Sequence, residues 1–365
     1  MLPLLELLQK TVDEGASDLI VKTGSVSSLR VRGHLEQIDS EPLTEDFAMI
    51  YLNELLDDRQ MERYVAGNEV DLAYEIVGLG RFRVNVFRQL GKPGMVFRYI
   101  KSHVPSFAEL SLPAPQLEKL AAMKRGLVLA TGVAGSGKST TLASMIEHMN
   151  SNMSRHVVTV EDPIEYVFSD INCMITQREI GHDSPTFATA LKYCLRQAPD
   201  VIVLGEMRDA ETIEAAINAA ESGHLVLSTL HTINAVQTVE RILSYFPAEQ
   251  QGLVRLQLSM VLQGVISLRL MNTIDGQGRI PACELLLNTP TVHEVLREGR
   301  TVALPKVLQE GEFFGTFTFD QCLARLYKEG RIDYSDALAT ADNPDELKLV
   351  IAGVTRGSSL ADLQM

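Results

Sequence analysis

The stretch Gly132-Val133-Ala134-Gly135-Ser136-Gly137-Lys138-Ser139 constrains this 365-residue chain more than any other. It is a complete G-x-x-x-x-G-K-S loop, preceded by the apolar run Gly126 to Ala130 and followed by a helically patterned segment. A buried strand that turns through glycines straight into a helix commits this region to a β-loop-α unit of a mostly parallel sheet. Glycines let backbone N–H groups turn inward around phosphate oxygens, and the helix start adds the positive end of its dipole. Lys138 neutralises the outer phosphates, while the Ser139 hydroxyl can ligate Mg²⁺. The pattern therefore predicts a nucleoside triphosphate site built from Gly132, Ala134, Gly135, Ser136, Gly137, Lys138, Ser139 and Thr140, with Mg²⁺ as the accompanying cation.

The rest of the chain falls into two regimes. Residues 1–100 read as a small α+β domain: short strands at Asp18 to Lys22, Ser28 to Arg32, Asp71 to Ile76, Arg81 to Gln89 and Met95 to Tyr99, with one helix near Glu45 to Tyr64. The first ten residues are apolar at helical spacing but carry Glu6 and no basic leader, which predicts a short amphipathic helix and not a signal peptide. Residues 101–114, with Pro105 and Pro113, read as a linker. From 115 to 365, apolar strands alternate with helical segments in the manner of an α/β sheet covered on both faces, becoming predominantly helical after about Val254.

Composition narrows the partners. With 33 basic and 47 acidic residues the net charge is -14, which disfavours nucleic acid and the DNA-handling motors that would need it. Cys173, Cys194, Cys283 and Cys322 lie far apart with no C-x-x-C pair, as expected of reduced thiols and not of a zinc knuckle. No apolar run reaches the roughly 18 residues of a membrane span, so any membrane association is expected to pass through a partner.

Four apolar runs end in residues capable of phosphate chemistry. Leu127 to Ala130 leads into the phosphate loop, Val157 to Val160 into Glu161-Asp162-Pro163-Ile164-Glu165, Val201 to Leu204 into Gly205-Glu206, and Leu225 to Leu230 into His231. Parallel sheets bind ligands at the carboxyl ends of their strands, so neighbouring strands would bring all four groups to one edge. Glu206, just past a buried strand, is the expected acceptor that orients attacking water. Glu161, Asp162 and Glu165 are candidates to hold Mg²⁺ through its waters.

His224 and His231 are separated by roughly 23 Å of extended strand and cannot share one job. His231 belongs with the chemistry and can sense the outer phosphate. His224, also a binding candidate, would anchor the sheet or a subunit contact. Arg196 lies before the Val201 strand, and Arg208 two residues past Glu206, placements that suit charge donated between subunits. Arg81 and Arg83 share one face of a strand with Asn85, opposite Phe82, Val84 and Val86, and that polar face is a further candidate to meet the nucleotide.

These residues resemble a known family. Thr159-Val-Glu-Asp-Pro-Ile-Glu165 is similar to an Asp box, Asp200-Val-Ile-Val-Leu-Gly-Glu-Met-Arg-Asp209 to a Walker B segment, and Glu221 to Thr232 to a His box of the secretion ATPase superfamily. Within it the chain is most similar to the PilT/PilU group, the retraction motors of type IV pili. The resemblance implies a PAS-like first domain, a RecA-like ATPase domain, and a cytoplasmic homohexamer beneath the inner-membrane platform protein of the pilus machine, with a second retraction ATPase as a further possible partner. It also implies Glu206 as the catalytic glutamate, with Arg196 and Arg208 near subunit boundaries. An extra N-terminal region and a four-cysteine insertion, usual in assembly and secretion ATPases, are missing, which favours retraction. Val133-Ala134 replaces a common Pro-Thr, and Thr291 to Glu298 only partly echoes the group's retraction-linked helix, matching at Arg297 and Glu298. The tail from Ser335 to Asp345 looks somewhat more like the PilU branch, so an accessory motor is the alternative to the principal one for this chain. An assembly or secretion ATPase and a non-hydrolysing nucleotide-gated subunit are the remaining alternatives.

Overall fold

The computed structural model describes residues 2–31, 33–100, 103–276 and 278–353. Two compact units result, one of residues 1–103 with 165–167 and the other of residues 104–164 with 168–365. Lys101 and Ser102, at the start of the expected linker, and Arg32, at the end of an expected strand, lie outside the described residues.

The first unit is a six-stranded antiparallel sheet made of β1 (Asp18–Lys22), β2 (Ser28–Val31), β3 (His34–Gln37), β4 (Val70–Ile76), β5 (Gly80–Gln89) and β6 (Lys92–Ile100), ordered β3-β2-β1-β6-β5-β4. Along β5 the alternation expected from sequence appears as burial: Phe82, Val84 and Val86 enter the core, while Arg81, Arg83 and Asn85 stay partly exposed on the other face. The amino-terminal helix Leu4–Asp13 buries Leu4, Leu7, Leu8 and Thr11, one face at helical period. The single helix expected near 45–64 is two, Glu45–Leu55 and Asp58–Val65. Leu56 is extended, and Asp57 starts the second helix through a reciprocal cap: its side chain accepts from Gln60 N–H while the Gln60 side chain accepts from Asp57 N–H. Strand β3, entirely exposed, has no burial pattern from which it could have been read.

The second unit contains a seven-stranded sheet of β7 (Gly126–Thr131), β8 (His156–Glu161), β9 (Met174–Glu179), β10 (Val201–Leu204), β11 (Leu225–Leu230), β12 (Leu262–Asn272) and β13 (Arg279–Leu287), ordered β13-β12-β7-β11-β10-β8-β9. All pairings are parallel except the β12–β13 hairpin. Successive residues of β7 serve opposite cores: Val128 and Ala130 pack into one apolar cluster, Leu127 and Leu129 into the other. Burial on both faces is why these strands read as continuous apolar runs.

The expectation of a predominantly helical region after Val254 is corrected by the hairpin. Its strands carry Val265, Ile266, Leu268 and Leu285 into the cores, and it extends the parallel sheet beyond β7. Gly264 permits that packing, because a Cβ there would lie 2.9 Å from Leu120 Cδ1. Helices do follow the hairpin, among them Pro290–Glu298, Phe319–Lys328 and Pro344–Ile351. Among the described residues no helix is long and apolar enough to cross a membrane.

Candidate active site

Register brings the four expected strand ends together. Leu204 of β10 pairs with Val160 of β8 and Ser228 of β11, and Leu230 of β11 pairs with Thr131 of β7. The residues after those positions therefore leave one edge of the sheet side by side.

The loop after β7 is shaped by glycines at positive φ: 141° at Gly132, 76° at Gly135 and 100° at Gly137. A Cβ at Gly132 would lie 2.4 Å from Ser136 Oγ and 2.5 Å from the Leu268 carbonyl oxygen, so this close turn excludes a side chain. Gly137 begins the helix Lys138–Asn152 without any side-chain cap, leaving the first N–H groups of the helix available to an anion. The buried Ser136 Oγ has no protein partner. An uncapped helix start, a glycine cradle and an orphaned hydroxyl fit a bound phosphate chain. Ala134, Gly135 and Ser139 are exposed, and Thr140 is half-buried in the first turn of the helix.

Lys138 is largely buried, and its ammonium donates to the carbonyls of Gly132 and Val133, each at 2.9 Å. Burial pulls its pKa below the ordinary lysine value, partly offset by the negative charge of Glu206. His231 joins these two groups: its Nδ1 lies 3.4 Å from Lys138 Nζ and its Nε2 3.4 Å from Glu206 Oε2. With the lysine donating to Nδ1, the imidazole proton sits on Nε2 and faces the carboxylate. The other oxygen of Glu206 pairs with Arg208 Nη2, whose pKa is raised chiefly by that bond. Lys138, His231, Glu206 and Arg208 form one continuous polar chain along the sheet edge.

The acidic cluster divides. Glu161 ends β8 and accepts from Thr159 Oγ1 at 2.7 Å and from Gln177 Nε2 at 3.4 Å, and exposed Asp162 contributes to the raised pKa of Arg208. Glu165, by contrast, belongs with Tyr166 and Val167 to the first unit. The backbone of Gly205 is clamped by Thr229 Oγ1 donating to its carbonyl at 2.6 Å, which sets where Glu206 leaves the sheet. No group of three His, Cys, Asp or Glu side chains forms a metal cage among the described residues. Mg²⁺ is commonly held by one hydroxyl or carboxylate, waters and substrate phosphates, so the exposed Ser139 hydroxyl at the start of the helix suits it.

The remaining candidates lie elsewhere. His224 is at the amino end of β11, its Nδ1 3.0 Å from the Ala219 carbonyl and 3.1 Å from Ser222 Oγ, and it touches none of the groups around Lys138. Arg196 is exposed between the helix Phe187–Cys194 and the amino end of β10. Arg83 lines a shallow hollow of about 340 Å³ in the first unit with Asp18, Asp71, Asn85, Val96 and Arg98; Arg81 is on the same strand. Sequence reasoning passed over Thr131, Ser267 and Glu284. Glu284 alone left a signal, a single acid inside the apolar run from Ile280 to Leu287.

The family model for Type II/IV secretion system proteins matches residues 3–333. The type IV pilus ATPase PilU of Pseudomonas aeruginosa is 42% identical over 346 residues, covering 95% of this chain and 90% of that protein. The pilus retraction ATPase PilT of the same organism is 40% identical over 340 residues, covering 93% of this chain and 98% of that protein. A crystal structure of the pilus retraction motor PilT with bound ADP superposes with a TM-score of 0.88 at 40% identity, covering 95% of this chain and 99% of that one. The chain belongs to the Type II/IV secretion system protein family and, within it, groups with the PilT/PilU ATPases.

Proposed function

We propose that this chain is an ATP-hydrolysing motor for type IV pilus retraction, working as a cytoplasmic homohexamer against the inner-membrane platform protein of the pilus. The observation that carries the chemistry is the continuous contact from Lys138 through His231 to Glu206. In this reading the loop N–H groups and Lys138 bind the triphosphate, and ATP arrives with Mg²⁺ bound through Ser139 and, by way of water, Glu161 or Asp162. The metal supplies charge neutralisation at the phosphates. Glu206 orients the attacking water and accepts its proton, since a largely enclosed carboxylate at a strand end is held in place without reorganisation. His231 reports the state of the phosphate end to Glu206, because one imidazole touches both the lysine and the carboxylate. Arg208, about two-thirds exposed, would exchange its Glu206 contact for one with a neighbouring subunit, and Arg196, also exposed, would reach across in the same way. Arg81, Arg83 and Glu165 would meet nucleotide in the assembled ring, and His224 would serve a sheet or subunit contact.

The direction of force rests on the retraction role named for the PilT relative. A deletion strain that stays piliated but loses surface motility supports retraction, and a bald strain assigns assembly instead. An accessory, PilU-like motor is the second reading, favoured by the equally high identity to PilU. It predicts that the deletion weakens motility only under load, or only when a second retraction ATPase is impaired. Steady-state phosphate release decides between a motor and a non-hydrolysing nucleotide-gated subunit.

A further inference from the structure

Glu284, on β13, is 6% exposed and accepts from the backbone N–H of Ala235 at 2.8 Å. Ala235 opens the helix Ala235–Ser244, and the four residues before it, 231–234, carry His231 away from the end of β11. Within that segment the ties are local: Thr232 Oγ1 meets Thr238 Oγ1 at 2.7 Å, and Asn234 caps Gln237 N–H. Among the described residues, hydrogen bonds leave residues 231–238 for other parts of the fold at two points, the His231 ring and the Ala235–Glu284 bond. One end of the loop is thus the reactive imidazole, and the other is fixed by Glu284.

The acid is also joined to the phosphate loop through the sheet. Glu284 pairs across β12 with Ser267, whose Oγ accepts from Thr131 Oγ1 at 2.9 Å, and Thr131 is the residue before Gly132. The next residue, Leu268, presents the carbonyl against which Gly132 is packed. One strand pair therefore backs both the phosphate loop and the His231 loop. The charged groups facing Glu284 are Arg269 on β12, Asp320 on the helix Phe319–Lys328, and Asp342 beyond it. Arg269 is engaged with the Thr340 carbonyl at 2.8 Å and Asp342 Oδ1 at 2.6 Å, so Ala235 N–H is the direct hydrogen-bond partner of the acid.

We propose that Glu284 is a positioning residue for hydrolysis: by gripping the first turn of the Ala235 helix it sets where His231 stands between Lys138 and Glu206. The grip depends on the reach of the side chain, not on its charge, and the inference rests on the hydrolytic reading above.

Two variants separate those properties. Glu284→Gln keeps the reach and the accepting oxygen without the charge, whereas Glu284→Asp keeps the charge and withdraws the oxygen by one methylene. In full-length protein, E284Q is expected to retain kcat within about threefold of the parent, and E284D to lose about tenfold with KM for ATP unchanged. Amide exchange read by mass spectrometry should rise about tenfold across residues 231–238 in E284D, with no change across 126–145. Parental exchange in E284D, or equal loss of kcat in both variants, overturns the proposal. Exchange is measurable without turnover, so a parent protein that hydrolyses nothing sinks the motor reading while the exchange comparison still decides whether Glu284 grips the loop.

Discussion

The two edges of the seven-stranded sheet are built differently. At the amino edge the ring and charged groups are met by nearby backbone or neutral side chains. His224 faces the Ala219 carbonyl, His156 lies 3.3 Å from the Ala198 carbonyl and 3.1 Å from Thr176 Oγ1, and Asp200 accepts from His156 N–H at 2.8 Å. Arg155 spends its guanidinium on the carbonyls of Ala121, Ala122 and Met123 at 2.8 to 2.9 Å. At the carboxyl edge ionisable side chains touch one another, and burial works against the charged form of two of the groups there. Burial lowers the pKa of Lys138 and raises that of Glu284 to about 7. The amino edge contributes stability; the carboxyl edge gives some up, as expected where preorganised charge is needed for a reaction.

That contrast predicts where substitutions are felt, and in what currency. Lys138→Ala should have the largest effect, lowering phosphate release by about 10³-fold, and parental turnover in this variant would remove the carboxyl edge from the chemistry. Glu206→Gln should lower kcat about 10²-fold with little change in KM, which stopped steady-state assays over a range of ATP concentrations would resolve.

The cost of the buried acid should appear as a pH dependence of stability. The folded-state pKa of Glu284, about 7, lies above the ordinary 4.5, so its contribution is fully favourable below pH 4.5 and is lost as pH rises through 7. Across that window the loss is on the order of 3 kcal/mol at most. Urea melts should show E284Q gaining on the parent between pH 5 and pH 8, and a constant offset would show that the acid is not ionising inside the fold.

His231→Ala should reduce hydrolysis about tenfold, and an unaltered rate would end its role as a sensor. At the other edge, His224→Ala should cost about 1 kcal/mol of stability while leaving the turnover of assembled protein within about twofold. A large loss of turnover with normal assembly would break the distinction between the edges.

Much of this was readable from local pattern. The glycine spacing of 132–137 announces a tight anion-binding turn whatever surrounds it, because positive φ and the exclusion of Cβ are properties of the backbone itself. Continuous apolar runs announced β7, β8, β10 and β11. The hairpin β12–β13 was missed because its apolar residues were read as helical, and β9 because its residues are only partly buried and carry Gln177, Arg178 and Glu179. The break at Leu56 depended on the reciprocal cap between Asp57 and Gln60, a short-range signal that the helical pattern on either side concealed.

What the sequence by itself determined is therefore the kind of unit each segment forms: a phosphate loop between strand and helix, acids and a histidine one step beyond buried strands, and two histidines too far apart along β11 to share a ligand. Tertiary structure alone decided which of these groups meet. The order β7-β11-β10-β8 places His231 between Lys138 and Glu206, and the hairpin brings Glu284 to Ala235 from 49 residues away. Periodicity and backbone conformation are short-range and written in neighbouring residues. Strand order and side-chain meeting are set by the packing of the whole sheet, in which no single segment carries the address of its partner.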